Sequence, residues 1–352
     1  MQRPWTLVTG ASGFIGGRLA RALVERGERV KAFVRPGANL GQLRDLPAAQ
    51  LMLAYGDIMV EHTVYRALAG CDRMYHVATN FQMWDRNPDR ILLPAIDGTR
   101  AVLEAARRRK LDRIVVTSSA ATLGVCENRE QPMDEEHEFN LSEPETYMQA
   151  KYEAEQVALR MAEDGLPVVI VLPSTVYGPG DWKPTPTGAS IVSYLKLPPT
   201  FRVPVTQGGI SVVDVDDVAA GHIQAMDAGR VGERYILGGE NVTFSELFEL
   251  LSDISGLAPP GKPVGPGLVQ LVGWLLEMRA RFGGPRPLVT HRLARDYASD
   301  CVWVTSEKAE QDLGYTHRPA RETLARAVRF YLEKGYVPER AARRVRLELR
   351  PT

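Results

Sequence analysis

A tyrosine and a lysine four positions apart, Tyr147 and Lys151, form the pair of side chains in this sequence best suited to proton transfer. The pattern of apolar residues predicts a helix over residues 147–164, and a spacing of four puts both side chains on one helix face. A free phenol has a pKa near ~10, and a neighbouring ammonium stabilises its phenolate form. We therefore expect Lys151 to lower the pKa of Tyr147 toward neutrality. The same spacing arises by chance in many helices.

Two serines supply a candidate hydrogen-bond donor for the same chemistry. Ser118 and Ser119 follow the apolar run at 114–117, which predicts a strand. Open α/β sheets bind their ligands at the carboxyl ends of the strands, and a hydroxyl there can donate to a carbonyl oxygen as negative charge develops on it. Capping of the strand exit is a purely structural alternative that fits Ser118 better than Ser119. Ser119 is therefore the candidate.

A glycine pattern near the start of the chain predicts a dinucleotide-binding turn. Gly10, Gly13 and Gly16 lie between a predicted strand and a predicted helix, the context that gives this pattern its meaning. Gly10 permits a sharp exit from the strand, Gly13 lets N–H groups approach a pyrophosphate, and Gly16 lets the helix pack closely on the sheet. The helix N-terminus adds unpaired donors. A purely structural turn is the alternative, but three glycines would begin a helix poorly.

The ends of the next two predicted strands indicate which dinucleotide would bind. An NAD site normally has a carboxylate roughly 20 residues past the glycine turn, whereas here the predicted strand at 29–34 is followed by Arg35 and no acid. The planar guanidinium of Arg35 suits a 2′-phosphate, so NADP(H) is favoured over NAD(H), with a plain surface arginine as the alternative. After a further short strand, Asp57 could accept a hydrogen bond from the adenine amino group and Ile58 could contact the ring. A turn aspartate explains Asp57 nearly as well.

Short apolar runs alternate with helical patterns through the first half of the chain. Strands are predicted at 5–8, 29–34, 73–78, 113–117 and 168–172, and helices at 13–26, 95–110 and 147–164. Strands separated by helices imply a parallel sheet covered on both faces. We therefore expect an α/β protein with a Rossmann-type, doubly wound parallel sheet and a smaller, discontinuous C-terminal substrate lobe.

The second half is less regular. Prolines and glycines between 173 and 204 predict loops and short elements, after which strands are predicted at 211–215 and 234–237 and helices at 215–228, 243–255 and 322–334. We expect a dinucleotide-binding domain over 1–173 to which segments around 211–237 return, a substrate lobe mainly over 174–335 and a basic tail over 336–352. The apolar segment 268–278 is interpreted as a buried helix of the lobe, with a lid over a lipid-like substrate as the alternative.

The composition excludes several classes of protein. The 352 residues include 43 Lys plus Arg and 43 Asp plus Glu, a net charge of zero that gives no indication of nucleic-acid binding. Three separated cysteines and six histidines show no metal-ligand spacing, so we expect no metal site and no disulfide framework. No apolar stretch reaches the ~20 residues of a membrane helix and no leader is apparent, so we expect a cytoplasmic protein without an integral membrane segment. A homodimer is compatible with the sequence.

Together these motifs resemble an extended short-chain dehydrogenase/reductase. The likeness rests on the glycine turn, the segment ending at Ser119, the motif at 147–151 and the run Leu-Pro-Ser-Thr-Val-Tyr-Gly-Pro at 172–179, and it covers most of the chain. Within the NAD-dependent epimerase/dehydratase superfamily it is most similar to the dihydroflavonol reductase and cinnamoyl-CoA reductase-like branch. The resemblance implies that Ser119, Tyr147 and Lys151 are catalytic, with Lys151 also binding the nicotinamide ribose. It further implies cofactor contacts from the following residues: Ser12, Phe14 and Ile15 of the turn, Ala78 and Thr79, and Pro173 and Val176.

Three positions depart from patterns common in that superfamily. Sugar-nucleotide epimerases usually have an arginine where this chain has Gly180 and Asp181, and sugar dehydratases usually have acidic residues where Ala120 and Ala121 follow Ser119. Both differences favour a substrate other than a nucleotide sugar. Ala95 occupies a position where relatives often have an asparagine that supports the active site, so no proton relay is implied there.

The expected activity is the reduction of a ketone or aldehyde on a small-molecule substrate. NADPH would deliver hydride to the carbonyl carbon, Ser119 would steady the oxygen and Tyr147 would protonate it; the reverse oxidation uses the same groups. Several apolar and aromatic side chains suggest a pocket for an apolar or aromatic substrate: Phe81, Met83, Trp84, Trp182, Tyr194, Leu195 and Phe201. One alternative is an epimerase or isomerase that retains NAD(H), and another is a non-catalytic dinucleotide sensor.

Overall fold

The computed structural model describes residues 4–79, 82–287 and 289–345, and within them seven parallel strands form a central sheet. The strands are β1 (Trp5–Thr9), β2 (Arg29–Val34), β3 (Leu51–Tyr55), β4 (Cys71–His76), β5 (Arg113–Thr117), β6 (Val168–Pro173) and β9 (Arg234–Leu237). Their order across the sheet is β3-β2-β1-β4-β5-β6-β9. The chain therefore winds outward from β1 in both directions, which confirms the predicted Rossmann-type fold class.

Helices cover both faces of this sheet. They are α1 (Phe14–Glu25), α2 (Glu61–Ala67), α3 (Asp89–Arg109), α4 (Thr146–Glu163) and α6 (Val215–Ala228). Successive strand residues point to opposite faces, so Leu7 packs in a core with α2, α3 and α4, whereas Val8 packs in a second core with α1 and α6. Both faces are apolar because both are buried.

Helix α3 is longer than its sequence pattern predicted. It begins at Asp89, six residues before the predicted start, and contains Pro94 in its second turn. Proline in the second turn of a helix removes one backbone donor. The preceding turn still closes, because the Ile91 and Leu92 N–H groups donate to the Pro88 carbonyl. The predicted helix began one residue after Pro94, whereas the observed helix includes this proline.

A second, smaller sheet forms beside the carboxyl end of the first. Its described strands are β7 (Thr175–Tyr177), β8 (Gly209–Asp214), β10 (Glu240–Thr243) and β11 (Cys301–Val302), and β8 pairs with each of the others. The remaining helices are α5 (Pro186–Lys196), α7 (Phe244–Ser255), α8 (Pro266–Arg281), α9 (His291–Tyr297), α10 (Glu307–Leu313), α11 (Ala320–Glu333) and α12 (Glu339–Ala342). Helices α5, α7 and α11 share a third apolar core.

Helix α5 lies in a segment whose prolines predicted mainly loops and short elements. Pro186 stands in its first turn, where proline is tolerated because the N–H it lacks would have no partner there. The Thr185 hydroxyl accepts a hydrogen bond from Gly188 N at 3.2 Å and caps the helix. The proline therefore starts a helix of 11 residues.

The interpretation of residues 268–278 as a buried helix is wrong. They belong to α8, in which Gly273 and Ala280 are buried while Leu268, Leu271 and Leu275 are exposed. Small residues lie on the packed face and large apolar residues on the outer face, the reverse of a helix in a protein core.

No helix in the described part of the chain combines the length and the apolar character needed to cross a membrane. The same residues contain no group of three or more His, Cys, Asp or Glu side chains arranged to hold a metal ion. Residues 346–352 of the predicted basic tail lie outside the described ranges.

Two histidines are buried among the strand ends of the central sheet. His76 lies between the hydroxyls of Thr9 and Thr99, at 2.9 and 3.1 Å from its ring nitrogens. His222 lies between the Thr117 hydroxyl at 2.8 Å and the Val218 carbonyl at 2.7 Å. Burial lowers the pKa of His76 to about 3 and that of His222 to about 4. Both rings are therefore neutral at physiological pH.

These depressed pKa values predict a loss of stability in mild acid. As the pH falls from 6.5 toward 4, the unfolded chain binds a proton at residue 222 and the folded chain does not, so the free energy of unfolding falls. His222→Gln should reduce that slope by about 1.4 kcal/mol per pH unit, measured by urea unfolding at several pH values. His62→Gln, at an exposed position, is the control and should keep the wild-type slope. An unchanged slope in His222→Gln would contradict the assignment.

Candidate active site

The parallel sheet gathers the predicted site residues at one edge. The carboxyl ends of β1, β2, β4, β5 and β6 all face the same way. The glycine turn, Arg35, Ala78 and Ser119 each follow one of these strands, and Pro173 is the last residue of β6, so all lie at that edge. The sheet order reverses direction between β1 and β4. Ligands of open α/β sheets bind at this kind of crevice.

Steric crowding explains two of the three glycines in the turn. Gly10 has a φ of 69°, and a Cβ placed on it would lie 2.8 Å from the Ala78 Cα. A Cβ on Gly16 would lie 2.3 Å from the Gly10 carbonyl oxygen. The Gly13 N–H donates to that same oxygen at 2.8 Å, which closes the turn. The 76–79 segment can approach the turn this closely only while residue 10 lacks a side chain, and α1 can approach the turn only while residue 16 lacks one.

The N-terminus of α1 fits a phosphate group. Gly13 is the N-cap and provides no side-chain hydrogen bond to the first turn, which also contains no acidic residue. The unpaired N–H groups and the helix dipole therefore remain available to an anion. Ser12, Phe14 and Ile15 border this end of the helix and are only partly buried. The donor set suits the pyrophosphate of a dinucleotide.

Gln42 holds the turn in place, a contact that the sequence did not reveal. Its Nε2 donates to the Gly13 carbonyl at 2.9 Å and to the Gly180 carbonyl at 2.8 Å. Gln42 is buried and connects the turn to the loop after β7. No local pattern around residue 42 indicates this role, because both partners are backbone groups of distant segments.

Thr9 aligns the segment after β4 with the glycine turn. Its hydroxyl oxygen accepts hydrogen bonds from Val77 N and Ala78 N, each at 3.1 Å. Because this oxygen already accepts two hydrogen bonds, the Thr9 hydroxyl donates its proton to the His76 Nδ1. Ala78 is half-buried and Thr79 is exposed, so this segment presents backbone to the crevice.

Tyr147, Lys151 and Ser119 come together. Both α4 side chains are buried, at 8% and 6% exposure. The Ser119 side chain is hydrogen-bonded to the Tyr147 hydroxyl, and the Lys151 ammonium donates to the Thr117 carbonyl oxygen at 2.7 Å. A short 3₁₀ turn at Ala120–Thr122 follows Ser119, whose hydroxyl oxygen caps it by accepting from Ala121 N at 3.2 Å.

The expected lowering of the Tyr147 pKa by Lys151 is wrong for this structure. Burial raises the pKa of Tyr147 to about 12, and the hydrogen bond with Ser119 only partly opposes it. The sequence expectation failed because it considered charge and not desolvation, which disfavours the phenolate. Burial also lowers the pKa of Lys151 to about 8, against the opposing influence of the Glu155 carboxylate. At neutral pH the pair is a phenol and an ammonium.

Glu155 lies next to Lys151 on α4 and connects that helix to three neighbouring side chains. It was not identified from the sequence. Its side chain is fully buried and accepts hydrogen bonds from the Ser118 hydroxyl, from the Thr122 hydroxyl at 2.9 Å and from Arg234 Nη1 at 3.0 Å. Ser118 therefore contacts Glu155, whereas Ser119 contacts the phenol. A carboxylate one turn after Lys151 on the same helix face was the available signal.

A small cavity, with room for about one water molecule, is lined in part by Lys151. Its lining includes His76, Ala78, Thr79, Ala95, Thr117 and Lys151. The segment after β4 and the helix that holds Tyr147 therefore meet at one point. Ala95 is part of that lining.

The other predicted cofactor residues lie along the same edge. Arg35 is exposed just after β2. Asp57 is exposed and accepts a hydrogen bond from Met59 N at 2.9 Å, the geometry of a turn aspartate. Ile58 packs against Gly98 of α3, where a Cβ would lie 2.9 Å from its Cδ1. Pro173 is buried at the end of β6 and Val176 is half-buried in β7.

Several residues expected in a substrate pocket have packing contacts instead. Tyr194 and Leu195 belong to the third core, and the Trp182 and Phe330 rings lie edge to face with centroids 5.6 Å apart. Met83 and Trp84 are half-buried and Phe201 is exposed. Phe81 lies outside the described residues.

Tyr297, on α9, borders the pair and was not predicted from the sequence. Its hydroxyl donates to the Met148 sulfur at 3.1 Å, next to Tyr147 on α4. Burial and the neighbouring acidic groups raise the pKa of Tyr297, and the Tyr147 side chain contributes to that shift. Helix α9 thus contributes to the enclosure of Tyr147.

Comparisons with known proteins give a consistent result. The sequence model described as the NAD dependent epimerase/dehydratase family matches residues 6–238. A putative dihydroflavonol 4-reductase of Synechocystis sp. is 35% identical, over 94% of this chain and 95% of that protein. Sterol demethylase protein B of Methylococcus capsulatus is 32% identical, over 94% of this chain and 99% of that protein. The crystal structure of gox2253 superimposes with a TM-score of 0.81 at 36% identity, over 95% of this chain and all of that one.

The close contacts of the turn predict that Gly16→Ala weakens dinucleotide binding. The new Cβ would meet the Gly10 carbonyl oxygen at 2.3 Å, and neither backbone segment can move without opening the turn. Affinity for NADP(H), measured by calorimetry, should fall more than about tenfold, with a loss of about 1–3 kcal/mol in the free energy of unfolding. Gly267→Ala, where a Cβ meets no atom within 4 Å, is the matched control. Wild-type affinity in Gly16→Ala would contradict the role given to this contact.

Proposed function

From its membership of the NAD dependent epimerase/dehydratase family, we propose that this chain reduces the carbonyl group of a small apolar or aromatic metabolite with NADPH. It is an NAD(P)-dependent oxidoreductase of the extended short-chain dehydrogenase/reductase type. The observation that carries the proposal is the buried Ser119–Tyr147 hydrogen bond beside Lys151, next to a turn suited to pyrophosphate.

When bound, a reduced nicotinamide would supply a hydride to the carbonyl carbon. Tyr147 donates a proton to the carbonyl oxygen, which becomes an alcohol. A phenol with a pKa near 12 is protonated at neutral pH, and it is a stronger acid than the alcohol formed, so donation is favourable. Ser119, already hydrogen-bonded to this phenol, steadies the same oxygen as charge develops on it.

Lys151 has two proposed tasks. Its ammonium is fixed by the Thr117 carbonyl, from where it stabilises negative charge on the phenol oxygen during proton transfer. The same ammonium would hold the nicotinamide ribose hydroxyls. Glu155 keeps the lysine charged, because its carboxylate raises the Lys151 pKa against the effect of burial.

The proposed substrate side is the lobe built around β8, with the cofactor on the central sheet. The names of two relatives refer to a dihydroflavonol and to a sterol, both dominated by carbon rings, which supports an apolar substrate. A nucleotide sugar is disfavoured because sugar-nucleotide epimerases usually have an arginine where this chain has Gly180 and Asp181. The buried Asp181 carboxylate accepts from the Tyr331 hydroxyl at 2.7 Å and the Thr185 N–H at 2.8 Å, and so acts in packing.

Tyr147→Phe tests the proton donor. Removal of one hydroxyl should lower kcat for carbonyl reduction by about 10²–10⁴-fold and leave the affinity for NADPH within about twofold of wild type. The readouts are the decay of NADPH absorbance with a panel of ketones and aldehydes, and calorimetry. Tyr152→Phe, on the same helix but stacked on Phe139, should retain activity. An active Tyr147→Phe variant would refute the role of the phenol.

Glu155→Gln tests the charge of Lys151 through the pH profile. The wild-type activity should decline as the pH rises through about 8, where the ammonium deprotonates. Without the carboxylate the Lys151 pKa falls, so this decline should move to lower pH. Glu153→Gln, on the same helix but bonded to Gln149, should keep the wild-type profile. A shift to higher pH, or none in a folded Glu155→Gln variant, would contradict this role.

Arg35→Ser tests the preference for NADPH. Loss of the guanidinium should lower the affinity for NADPH by about tenfold or more and the affinity for NADH by less than about twofold, since only NADPH has a 2′-phosphate. Arg44→Ser, at another exposed position nearby, is the control. Equal losses for the two cofactors in the Arg35 variant would exclude recognition of the 2′-phosphate.

A further inference from the structure

Helix α8 exposes a continuous apolar stripe. Leu268, Leu271, Val272 and Leu275 recur at spacings of three and four, so they share one helix face, and each is between 44% and 56% exposed. Arg279 occupies the next position on this face, and Phe282, just beyond the last turn, is 84% exposed. We call the five apolar residues the α8 stripe. Contiguous apolar surface of this kind marks an interaction site.

The opposite face of α8 is fixed to the protein. A Cβ on Gly273 would lie 2.7 Å from the Thr290 backbone, and the Glu277 carboxylate accepts from His291 N at 2.6 Å. Arg86 Nη2 donates to the Ala280 carbonyl at 2.9 Å. The orientation of the helix is therefore set by these contacts, and the stripe cannot turn inward without breaking them.

Cations surround the stripe. Residues 258–286 include four cations and one carboxylate, whereas the whole chain has a net charge of zero. All four cations are exposed: Lys262, Arg279, Arg281 and Arg286. Arg286 is paired with the Asp85 carboxylate at 3.4 Å, and the carboxylate of the segment, Glu277, is bonded to His291 N. Trp274 is half-exposed on the flank of the stripe. An exposed apolar face, bordered by arginines and a tryptophan, is the pattern of a helix that lies in the surface of a membrane.

We propose that α8 docks on the surface of an anionic lipid bilayer. The α8 stripe enters the boundary between headgroups and acyl chains, while Arg279 and Arg281 bind lipid phosphates with their long side chains. With 16 residues, α8 spans about 24 Å in the membrane plane.

A second copy of this chain is a poorer occupant of the stripe. A two-fold contact would bring the cationic border of one copy against the identical border of the other, with no exposed carboxylate on α8 to offset it. A bilayer with anionic lipids has the opposite charge. Charge complementarity therefore favours the membrane.

The docked face adjoins the candidate active site. Thr290, which packs against Gly273, donates to the buried Glu145 carboxylate at 2.8 Å. Glu145 lies two residues before Tyr147 and directly precedes α4. Membrane docking does not depend on the proposed reduction, since it rests on the surface of α8 alone.

Co-sedimentation of the full-length protein with vesicles tests the proposal. The wild type should bind vesicles of phosphatidylcholine mixed with phosphatidylglycerol and bind those of phosphatidylcholine alone more weakly. The double variant Leu271→Ser with Leu275→Ser should lose about tenfold or more in affinity for the mixed vesicles, because two apolar side chains no longer insert. Arg279→Gln with Arg281→Gln should lose affinity for the mixed vesicles only, by about fivefold per arginine.

Val231→Ser removes an apolar side chain that is 50% exposed at another surface, and should bind vesicles as the wild type does. Thermal unfolding checks that each variant is folded. Absence of wild-type binding to the mixed vesicles, or equal binding by the double leucine variant, would overturn the proposal. A dimer in light scattering that the leucine substitutions dissociate, without vesicle binding, would overturn it too and assign the stripe to a second copy.

Discussion

The hydrogen bond from the Lys151 ammonium to the Thr117 carbonyl oxygen connects the two elements on which the site depends. It joins α4, which contains Tyr147, to the carboxyl end of β5, from which the chain continues to Ser119. Because β5 is a central strand between β4 and β6, its end cannot move independently of the sheet. The phenol, the serine hydroxyl and the glycine turn therefore have fixed relative positions before any ligand arrives.

Burial determines the protonation of this site more strongly than the proximity of the two groups. It raises the pKa of the Tyr147 phenol and lowers that of the Lys151 ammonium, so it favours the neutral form of each. Glu155 opposes the second effect, and its own buried charge is stabilised by Arg234 and two hydroxyls. The Glu155 carboxylate thus connects Ser118 and Thr122 with Arg234 on β9.

The sequence predicted what local patterns determine. Alternating apolar runs identified the strands of the sheet, and the glycine spacing identified the turn, because each pattern reflects the conformation of its own segment. Gln42 and Glu155 could be identified only from tertiary contacts, since their partners lie far away in sequence. The direction of the Tyr147 pKa shift also needed the fold, because the phenol is enclosed by α9, which begins 144 residues later in the chain. Helix α8 was misread because an apolar run does not reveal which of its faces is covered.

The most direct test of the arrangement is a crystal structure of the protein with NADP bound. The proposed roles require the nicotinamide ring beside the Tyr147 hydroxyl, the ribose hydroxyls at the Lys151 ammonium and the pyrophosphate at the N-terminus of α1. A dinucleotide bound elsewhere, or one whose nicotinamide ring lies away from Tyr147 and Lys151 while its pyrophosphate occupies the turn, would contradict the proposed chemistry.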